Sequence, residues 1–196
     1  MNSGTVFTNR ATPWLGRRLV VKLLALCAVA PMSFRHAWGQ EDDWPANTLV
    51  PTEPPWPIPD FSFSYETLSA VKLSDFRGRV VLLNLWGPWC PSCRIEMPFL
   101  DRLQAELGGP RFEVVALAIE RRGRGPVDDF YDELGLRWLK VYVDTSRRSA
   151  AALDVTAIPV TVLIDPDGRE VARAVGPISW DDPAVIAFIR RYLPGQ

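Results

Sequence analysis

Histidine is almost absent from this sequence. The 196 residues contain one histidine, His36, and three cysteines, of which Cys27 also lies near the N-terminus. Residues 40–196 therefore have no histidine and only two cysteines, Cys90 and Cys93. Catalytic triads, Cys/His pairs and His-ligated zinc or copper sites all need an imidazole, and this part of the chain has none to offer. Any covalent chemistry must be sought first at Cys90 and Cys93.

An excess of basic residues is also missing from the main part of the chain. Five of the 22 basic residues and none of the 23 acidic residues lie within residues 1–39. Residues 40–196 thus carry 17 basic and 23 acidic residues, a formal charge of −6. An acidic body lacks the basic face that binding to a phosphate backbone requires, so we expect no nucleic-acid partner. The composition, 47% hydrophobic and 23% charged, fits one globular domain and excludes a disordered chain.

Residues 1–39 have the pattern of an export signal. A basic stretch that includes Arg17 and Arg18 precedes the apolar run 23–32, and the small residues at 37–39 offer a cleavage site. The apolar run is too short to cross a bilayer comfortably, since a spanning helix takes about 20 residues. The alternative is an uncleaved N-terminal anchor that tethers the protein to the membrane. The paired arginines are compatible with either the general or the twin-arginine export route.

A proline-rich stretch follows this signal. Residues 40–60 contain six prolines, and proline favours extended backbone and interrupts helices. We therefore predict a stiff linker over residues 40–58 that leads into a folded domain over residues 59–194. Docking of this stretch in another protein's aromatic groove is the alternative.

The rest of the sequence alternates between buried strands and amphipathic helices. The run 80–86 predicts a central strand covered on both faces, and the apolar repeat after Cys90 predicts a helix that ends at Gly108-Gly109. The turn sequence at 165–168 predicts an antiparallel hairpin. The other predicted elements are a strand at 114–119, a helix at 127–134, a short edge strand at 141–143, a weak helix at 150–153, the hairpin strands at 160–164 and 171–175, and a final helix at 183–192. This order predicts an α/β fold with a mixed sheet.

Cys90 and Cys93 lie at the junction between the predicted central strand and the helix after it. The N-terminus of a helix stabilises a thiolate and lowers the pKa of a cysteine placed there. We predict that Cys90 is the exposed, attacking thiolate and that Cys93 resolves the mixed disulfide. Pro91 suits the first helical turn. The alternatives are a structural disulfide, which would stabilise weakly because it closes so small a loop, and half of a zinc site, which lacks two further ligands.

Three motifs, in this order and spacing, resemble the thioredoxin superfamily. They are LSDFRGRVV at residues 73–81, WCPSCRIEMP at 89–98 and IPVTVLID at 158–165. The sequence is most similar to the exported TlpA-like branch, which includes periplasmic thiol reductants of cytochrome c maturation. The resemblance implies a thioredoxin-like, three-layer sandwich with a central mixed β-sheet flanked by helices. It also implies a redox-active Cys90–Cys93 disulfide that exchanges with client disulfides and needs no cofactor or metal.

The resemblance further implies which residues contact a substrate. Pro159 matches the family's cis-proline, which lies beside the dithiol and, with Ile158, presents backbone to an extended client segment. Trp86 and Trp89 flank the dithiol, where an aromatic ring can limit the access of water and contact a partner, although core packing is the alternative for Trp86. Trp89 and Pro91 are expected, with Ile158 and Pro159, to contact the substrate.

Glu96 is the predicted proton acceptor for Cys93. It follows Cys93 by three residues, so a helix would place both on one face. Thioredoxins proper have a buried aspartate on the preceding strand, where this sequence has Asn84, an amide that cannot take the proton. We expect Glu96 to take over that role, as it does in the TlpA-like branch. The alternative is a solvated surface carboxylate.

These observations predict a periplasmic reductant of disulfides in exported client proteins. It would receive electrons from a membrane-embedded thiol donor, and no feature demands an oligomer, so we expect a monomer. The reducing direction is predicted because Pro91-Ser92 places no histidine between the cysteines to stabilise the thiolate strongly. The alternatives are an oxidase or isomerase of the same fold, and a module that binds clients or cuprous ion without turnover.

Overall fold

The computed structural model describes residues 48–65 and 69–195, which form one mixed β-sheet with helices on both faces. The strands are β1 (Val50–Pro57), β2 (Ser62–Tyr65), β3 (Ser69–Lys72), β4 (Val80–Trp86), β5 (Phe112–Ala118), β6 (Tyr142–Val143), β7 (Val160–Ile164) and β8 (Arg169–Val175). The helices are α1 (Pro91–Leu107), α2 (Gly125–Leu134), α3 (Arg148–Ala152) and α4 (Pro183–Arg190), and a short 3-10 helix spans Leu73–Phe76.

The order of the strands across the sheet is β1-β8-β7-β4-β5-β6-β2-β3. β5 pairs in parallel with β4 and with β6, and every other neighbouring pair is antiparallel. β4 therefore lies in the interior of the sheet, between β5 and β7. The carboxyl end of this strand leads directly into the segment that carries the two cysteines.

The alternation of side chains along β4 gives the sheet two apolar faces. Leu82 and Trp86 point to one face and pack in a core with residues of α1, α2 and α4. Leu83 and Leu85 point to the other face, where they pack with the 3-10 helix and the loop after α3. The two cores make the three layers of a thioredoxin-like α/β fold, which confirms the predicted fold class.

The structure confirms most of the predicted elements, corrects the position of one strand and adds the β2–β3 hairpin, which was not predicted. The hairpin turn forms as predicted, with the Gly168 N–H donating to the Asp165 carbonyl at 2.9 Å. The short strand near residue 142 is not at an edge, because the hairpin of β2 and β3 continues the sheet beyond it. That hairpin was missed because each of its strands has only four residues and Phe63 alone among them is buried, so they lack the apolar signal of a buried strand.

The proline-rich stretch differs from the predicted linker. Its residues 50–57 are extended, as expected, but they form β1 and pair antiparallel with β8. The pairing is interrupted between Pro51 and Trp56, where prolines have no N–H to donate. Such a strand is tolerated at the edge of a sheet, which is where β1 lies.

The predicted export signal at residues 1–39 lies outside the described residues. Among the residues that the structure describes, no helix is both long enough and apolar enough to cross a membrane.

Candidate active site

The two cysteines form a disulfide at the N-terminus of α1. Cys90 is the N-cap residue, and its sulfur accepts a hydrogen bond from the backbone N–H of Cys93 at 3.1 Å. Pro91 occupies the first helical position, as predicted. The N–H of Cys93 and the positive end of the helix thus point at the Cys90 sulfur, which is the arrangement that stabilises a thiolate there after reduction.

The two sulfurs differ in their access to solvent, although less than the sequence suggested. Cys93 is fully buried, whereas Cys90 is 5% exposed. Cys90 is therefore not the exposed residue that we expected, because it lines a pocket and is almost completely covered by its neighbours. The order of access is nevertheless as predicted, since Cys90 and not Cys93 lines that pocket.

The pocket beside Cys90 has a volume of about 330 Å³. Its walls are Trp89 to Ser92, Ile119 at the end of β5, Arg147 before α3, and the segment 155–158 before β7. Trp89 is 58% exposed, and its indole lies against Gly87, where an added Cβ would come within 2.9 Å of the ring. The pocket is thus an apolar surface next to a reactive sulfur, with one tryptophan ring held at its rim.

Ile158 and Pro159 lie across from the helix N-terminus. The peptide bond between them is cis, as predicted. The carbonyl oxygen of Ile158 is 3.8 Å from the Cys90 sulfur, and its side chain is half-buried in the pocket wall. Pro159 itself is buried at the start of β7. The structure therefore brings the predicted residues Trp89, Pro91 and Ile158 together around Cys90.

Glu96 is fully buried, which excludes the alternative of a solvated carboxylate. One carboxyl oxygen accepts a hydrogen bond from Asn84 Nδ2 at 2.6 Å. The other accepts from the backbone N–H of Ile178 and from Trp180 Nε1, each at 3.3 Å. Burial raises the pKa of Glu96 from 4.5 to about 7, although these three hydrogen bonds act to lower it. A carboxyl with such a pKa can both accept and return a proton near neutral pH.

Asn84 occupies the same face of β4 as Trp86 and supports Glu96. Its Nδ2 also donates to Thr161 Oγ1 at 2.9 Å, while its Oδ1 is buried without a partner among the described residues. At the position where thioredoxins proper have the aspartate, this protein thus has the Asn84 amide, which donates a hydrogen bond to the carboxyl of Glu96 on α1. The sequence suggested this exchange, but it did not reveal the contributions of Ile178 and Trp180, which are more than 80 residues further along the chain.

Trp86 packs in the core and does not line the pocket beside Cys90. It is fully buried, and its ring packs 4.7 Å from Phe130 and 5.9 Å from Tyr131, measured between ring centroids. It is a core residue beneath the dithiol, in contrast to Trp89.

Comparisons with known proteins agree with this fold and site. The family model described as Redoxin matches residues 56–187. The thiol-disulfide oxidoreductase ResA of Bacillus subtilis (strain 168) is 31% identical over 138 residues, which cover 70% of this chain and 75% of that protein. ResA of Oceanobacillus iheyensis is 28% identical over 174 residues, 89% of each chain.

Solved structures give the same result. A secreted thiol-disulfide isomerase from Corynebacterium glutamicum has 26% sequence identity and a TM-score of 0.60, and the match covers 74% of this chain and 90% of that one. An exposed lipoprotein thioredoxin from Streptococcus pneumoniae strain TIGR4 has 25% identity and a TM-score of 0.56, over 68% of this chain and 99% of that one.

A helix N-terminus that carries a Cys-x-x-Cys disulfide next to a cis-proline defines a thioredoxin-fold enzyme of dithiol/disulfide exchange. This chain belongs to the Redoxin family and, within the thioredoxin superfamily, to the TlpA-like branch of thiol-disulfide oxidoreductases.

Proposed function

We propose that the protein is an exported reductant that transfers electrons to disulfides of periplasmic client proteins. The observation that carries this proposal is the unequal environment of the two sulfurs: Cys90 lines a pocket large enough for a client side chain, while Cys93 is sealed in the core. An attacking sulfur must reach the client, and a resolving sulfur must reach only the attacking one.

The exchange proceeds in two steps. The Cys90 thiolate attacks one sulfur of the client disulfide, and the other client sulfur leaves as a thiolate. The Cys93 thiol then loses its proton and attacks the Cys90 sulfur, which re-forms the Cys90–Cys93 disulfide and releases the client as a dithiol. Two electrons pass to the client in each cycle. A thiol donor in the membrane then reduces the disulfide again.

Glu96 is the proposed acceptor of the Cys93 proton. Both residues are fully buried, and their spacing places them on one face of α1. With a pKa of about 7, Glu96 is ionised in part of the molecules at neutral pH and can take a proton that water cannot reach. When the next electron pair arrives, the same carboxyl can return the proton to Cys93.

The client segment is proposed to lie extended across the pocket. Ile158 presents its backbone beside the Cys90 sulfur, and Trp89 and Pro91 offer exposed surface on the opposite side. Pro159, which follows Ile158 and is buried at the start of β7, is proposed to form the client-binding surface together with it.

The export signal, the periplasmic location and a role in cytochrome c maturation are further parts of the proposal. They are supported by the basic and apolar pattern of residues 1–39 and by the resemblance to the TlpA-like branch. The proposed domain organisation keeps residues 1–39 as signal or anchor, with a shorter linker that ends where β1 begins.

The direction of electron flow is tested by the reduction potential. Residues 40–196 are equilibrated in glutathione buffers of known potential, and the free thiols are trapped with a maleimide reagent and counted by mass. A value near or below about −230 mV supports a reductant, and a value near about −120 mV would make the protein a disulfide donor instead. Insulin reduction distinguishes an enzyme from a client-binding module, because a binder would protect the insulin disulfides rather than break them.

The role of Glu96 is tested with the variant Glu96→Gln and an aromatic disulfide as oxidant. Attack by Cys90 releases one coloured thiolate, and attack by Cys93 releases a second, so the two steps are resolved in time. We expect the second step to slow by about a hundredfold at pH 7 and to lose the transition near pH 7 that titration of Glu96 gives the wild type. Glu106→Gln, which removes an exposed carboxyl from the same helix, is the matched control. An unchanged second step in Glu96→Gln would exclude the role.

A further inference from the structure

The pocket beside Cys90 contains one charged side chain among its described residues, that of Arg147. The rest of the wall is apolar or carries only hydroxyl groups. Asp154 precedes a wall residue, Val155, but does not itself line the pocket. The described wall of the pocket therefore carries one positive charge and no negative charge, although the body of the protein is acidic.

Arg147 has no acidic partner among the residues that the structure describes. Two other arginines near this end of the sheet are neutralised, since Arg122 pairs with Glu120 at 3.1 Å and Arg124 pairs with Asp128 at 2.8 Å, whereas Arg121 and Arg148 lie outside the pocket. Arg147 is exposed and makes no such ion pair, so its guanidinium is available to a ligand that enters the pocket.

The backbone of Arg147 is held in an unusual conformation. Its φ is 60° and its ψ is 21°, in the left-handed region that is unfavourable for a non-glycine residue. A glycine or asparagine would adopt this turn with less strain. The sequence nevertheless places at this position the longest cationic side chain.

The turn that carries Arg147 is anchored by a buried carboxylate. Asp144 accepts hydrogen bonds from the backbone and hydroxyl of Ser146 and from those of Ser149, at 2.6 to 2.9 Å. Burial acts to raise the pKa of Asp144, but these hydrogen bonds outweigh it and the pKa lies below its ordinary value. The Asp144 N–H donates a hydrogen bond to the carbonyl of Ala118 at the carboxyl end of β5. The turn is therefore attached to the end of the sheet at which β4 leads into the dithiol.

We propose that Arg147 determines specificity, and that it selects client segments that carry a carboxylate next to the disulfide cysteine. A guanidinium binds a carboxylate through two parallel hydrogen bonds, which gives direction as well as attraction. The apolar wall formed by Trp89, Val155 and Ile158 would contact the rest of the segment. This inference rests on the proposed reduction of client disulfides.

The reaction that Arg147 serves is unchanged. The Cys90 sulfur bonds to the client sulfur, the client S–S bond breaks, and Cys93 then displaces the client with the transfer of two electrons from the dithiol to the client. Arg147 only raises the fraction of encounters in which an acidic client segment lies in the pocket with its sulfur next to Cys90.

The test compares three peptides in single turnovers with the pre-reduced protein. Each peptide contains one intramolecular disulfide, and the residues that flank the reactive cysteine are glutamate, glutamine or lysine. We expect the second-order rate constant for the glutamate peptide to exceed that for the glutamine peptide by about fivefold, with the lysine peptide slowest, and the difference to shrink as salt is added.

Variants at position 147 identify the source of the preference. Arg147→Gln should make the glutamate and glutamine peptides equal, Arg147→Glu should favour the lysine peptide, and Arg147→Lys should keep part of the preference. Each variant is judged by the ratio of rates between peptides, so a general change in Cys90 reactivity or in folding cancels. Arg148→Gln removes the same charge from the next residue, which does not line the pocket, and should preserve the wild-type ratio.

Three results would overturn the proposal without touching the proposed reductase. The first is an unchanged glutamate-to-glutamine ratio in Arg147→Gln. The second is an equal loss of that ratio in Arg148→Gln, which would indicate that positive charge on the surface, and not contact with Arg147 in the pocket, causes the preference. The third is reduction of all three peptides at one rate by the wild type, which would refute the selectivity and leave the proposed reductase intact. If the wild type reduced none of them, the proposed reductase would fail, and this inference with it.

Discussion

At the scale of single residues, Glu96 links the redox site to the stability of the fold. Its pKa in the folded protein is about 7, above the ordinary value of 4.5. Between these two values the folded protein keeps a proton that the unfolded chain has lost. The free energy of unfolding therefore falls as the pH rises through this range, by about 1.4 kcal/mol for each pH unit.

This linkage predicts how Glu96→Gln changes stability. The neutral amide has no proton to lose, so the free energy of unfolding of the variant should gain about 3 kcal/mol relative to the wild type between pH 4.5 and pH 8. Urea denaturation of both oxidised proteins at several pH values measures the difference. Glu106→Gln controls for the loss of a surface charge, and a difference that does not vary with pH would contradict the linkage.

The hydrogen bonds to Glu96 predict an order of effects among its neighbours. The bond from Asn84 lowers the pKa of Glu96 more than the bond from Trp180 does. Asn84→Ala should therefore raise the pKa of Glu96 further than Trp180→Phe, and both should raise it above the wild-type value of about 7. The carbon-13 shift of the Glu96 carboxyl, followed through a pH titration, measures this. A pKa that stays the same in both variants would show that burial alone sets it.

The sequence predicted the reacting residues of the site better than it predicted the residues that surround them. Cys90, Cys93 and Glu96 follow one another on a single helix, so their relation can be derived from helical spacing. Ile178 and Trp180 reach Glu96 from beyond β8, and no local pattern marks such a long-range contact. The limited exposure of Cys90 was missed for the same reason, since the pocket walls come from four separate segments.

At the scale of elements, α1 is anchored at its middle as well as at its first turn. One carboxyl oxygen of Asp101 accepts hydrogen bonds from the backbone N–H groups of Arg137, Trp138 and Leu139, at 3.1, 2.8 and 2.9 Å. These bonds attach the loop after α2 to the helix that carries the dithiol. Of the three donors, only that of Leu139 belongs to a buried residue, so water can replace the other two bonds more easily.

This anchor predicts the effect of removing the Asp101 carboxylate. Asp101→Ala should lower the free energy of unfolding by about 2 to 3 kcal/mol, because a buried N–H loses its partner and a charged acceptor is lost. Asp101→Asn, which retains an oxygen acceptor, should lose less. Urea denaturation measures both, and the reduction potential should remain at the wild-type value because the first turn of α1 is not altered.

Elements were predicted well where an apolar pattern was strong. β4, α1 and the β7–β8 hairpin have either continuous apolar runs or a turn sequence that permits few alternatives. β1 was interpreted as a linker because its prolines favour extended backbone and interrupt helices, and the pattern cannot distinguish a free extended segment from a paired edge strand. The partner strand β8 lies more than a hundred residues away and decides between the two.

At the scale of the whole molecule, β1 closes one end of the sheet. It covers β8, whose backbone would otherwise be open along one side, and its own prolines leave few N–H groups for another chain to pair with. Proline at an exposed edge is a known protection against edge-to-edge association. We therefore interpret β1 as a proline-rich edge strand that prevents β8 from pairing with another chain.

Removal of β1 is predicted to expose β8. A protein that begins at residue 58 should have a lower Tm than one that begins at residue 48, and it should associate as its concentration rises. Size-exclusion chromatography with light scattering, together with thermal denaturation, checks both effects. A truncated protein that stays monomeric with an unchanged Tm would show that β1 contributes nothing to the closure of the sheet.

The position of Trp89 has an optical consequence. Of the five tryptophans in the described part of the chain, Trp86 and Trp180 are fully buried, whereas Trp89 is exposed next to a disulfide in the sequence. Its emission should therefore lie at longer wavelength than that of the buried indoles and should be quenched by the disulfide in the oxidised state. Reduction should therefore brighten the fluorescence, so that the protein reports the redox state of its own cysteines by the intensity of its own emission.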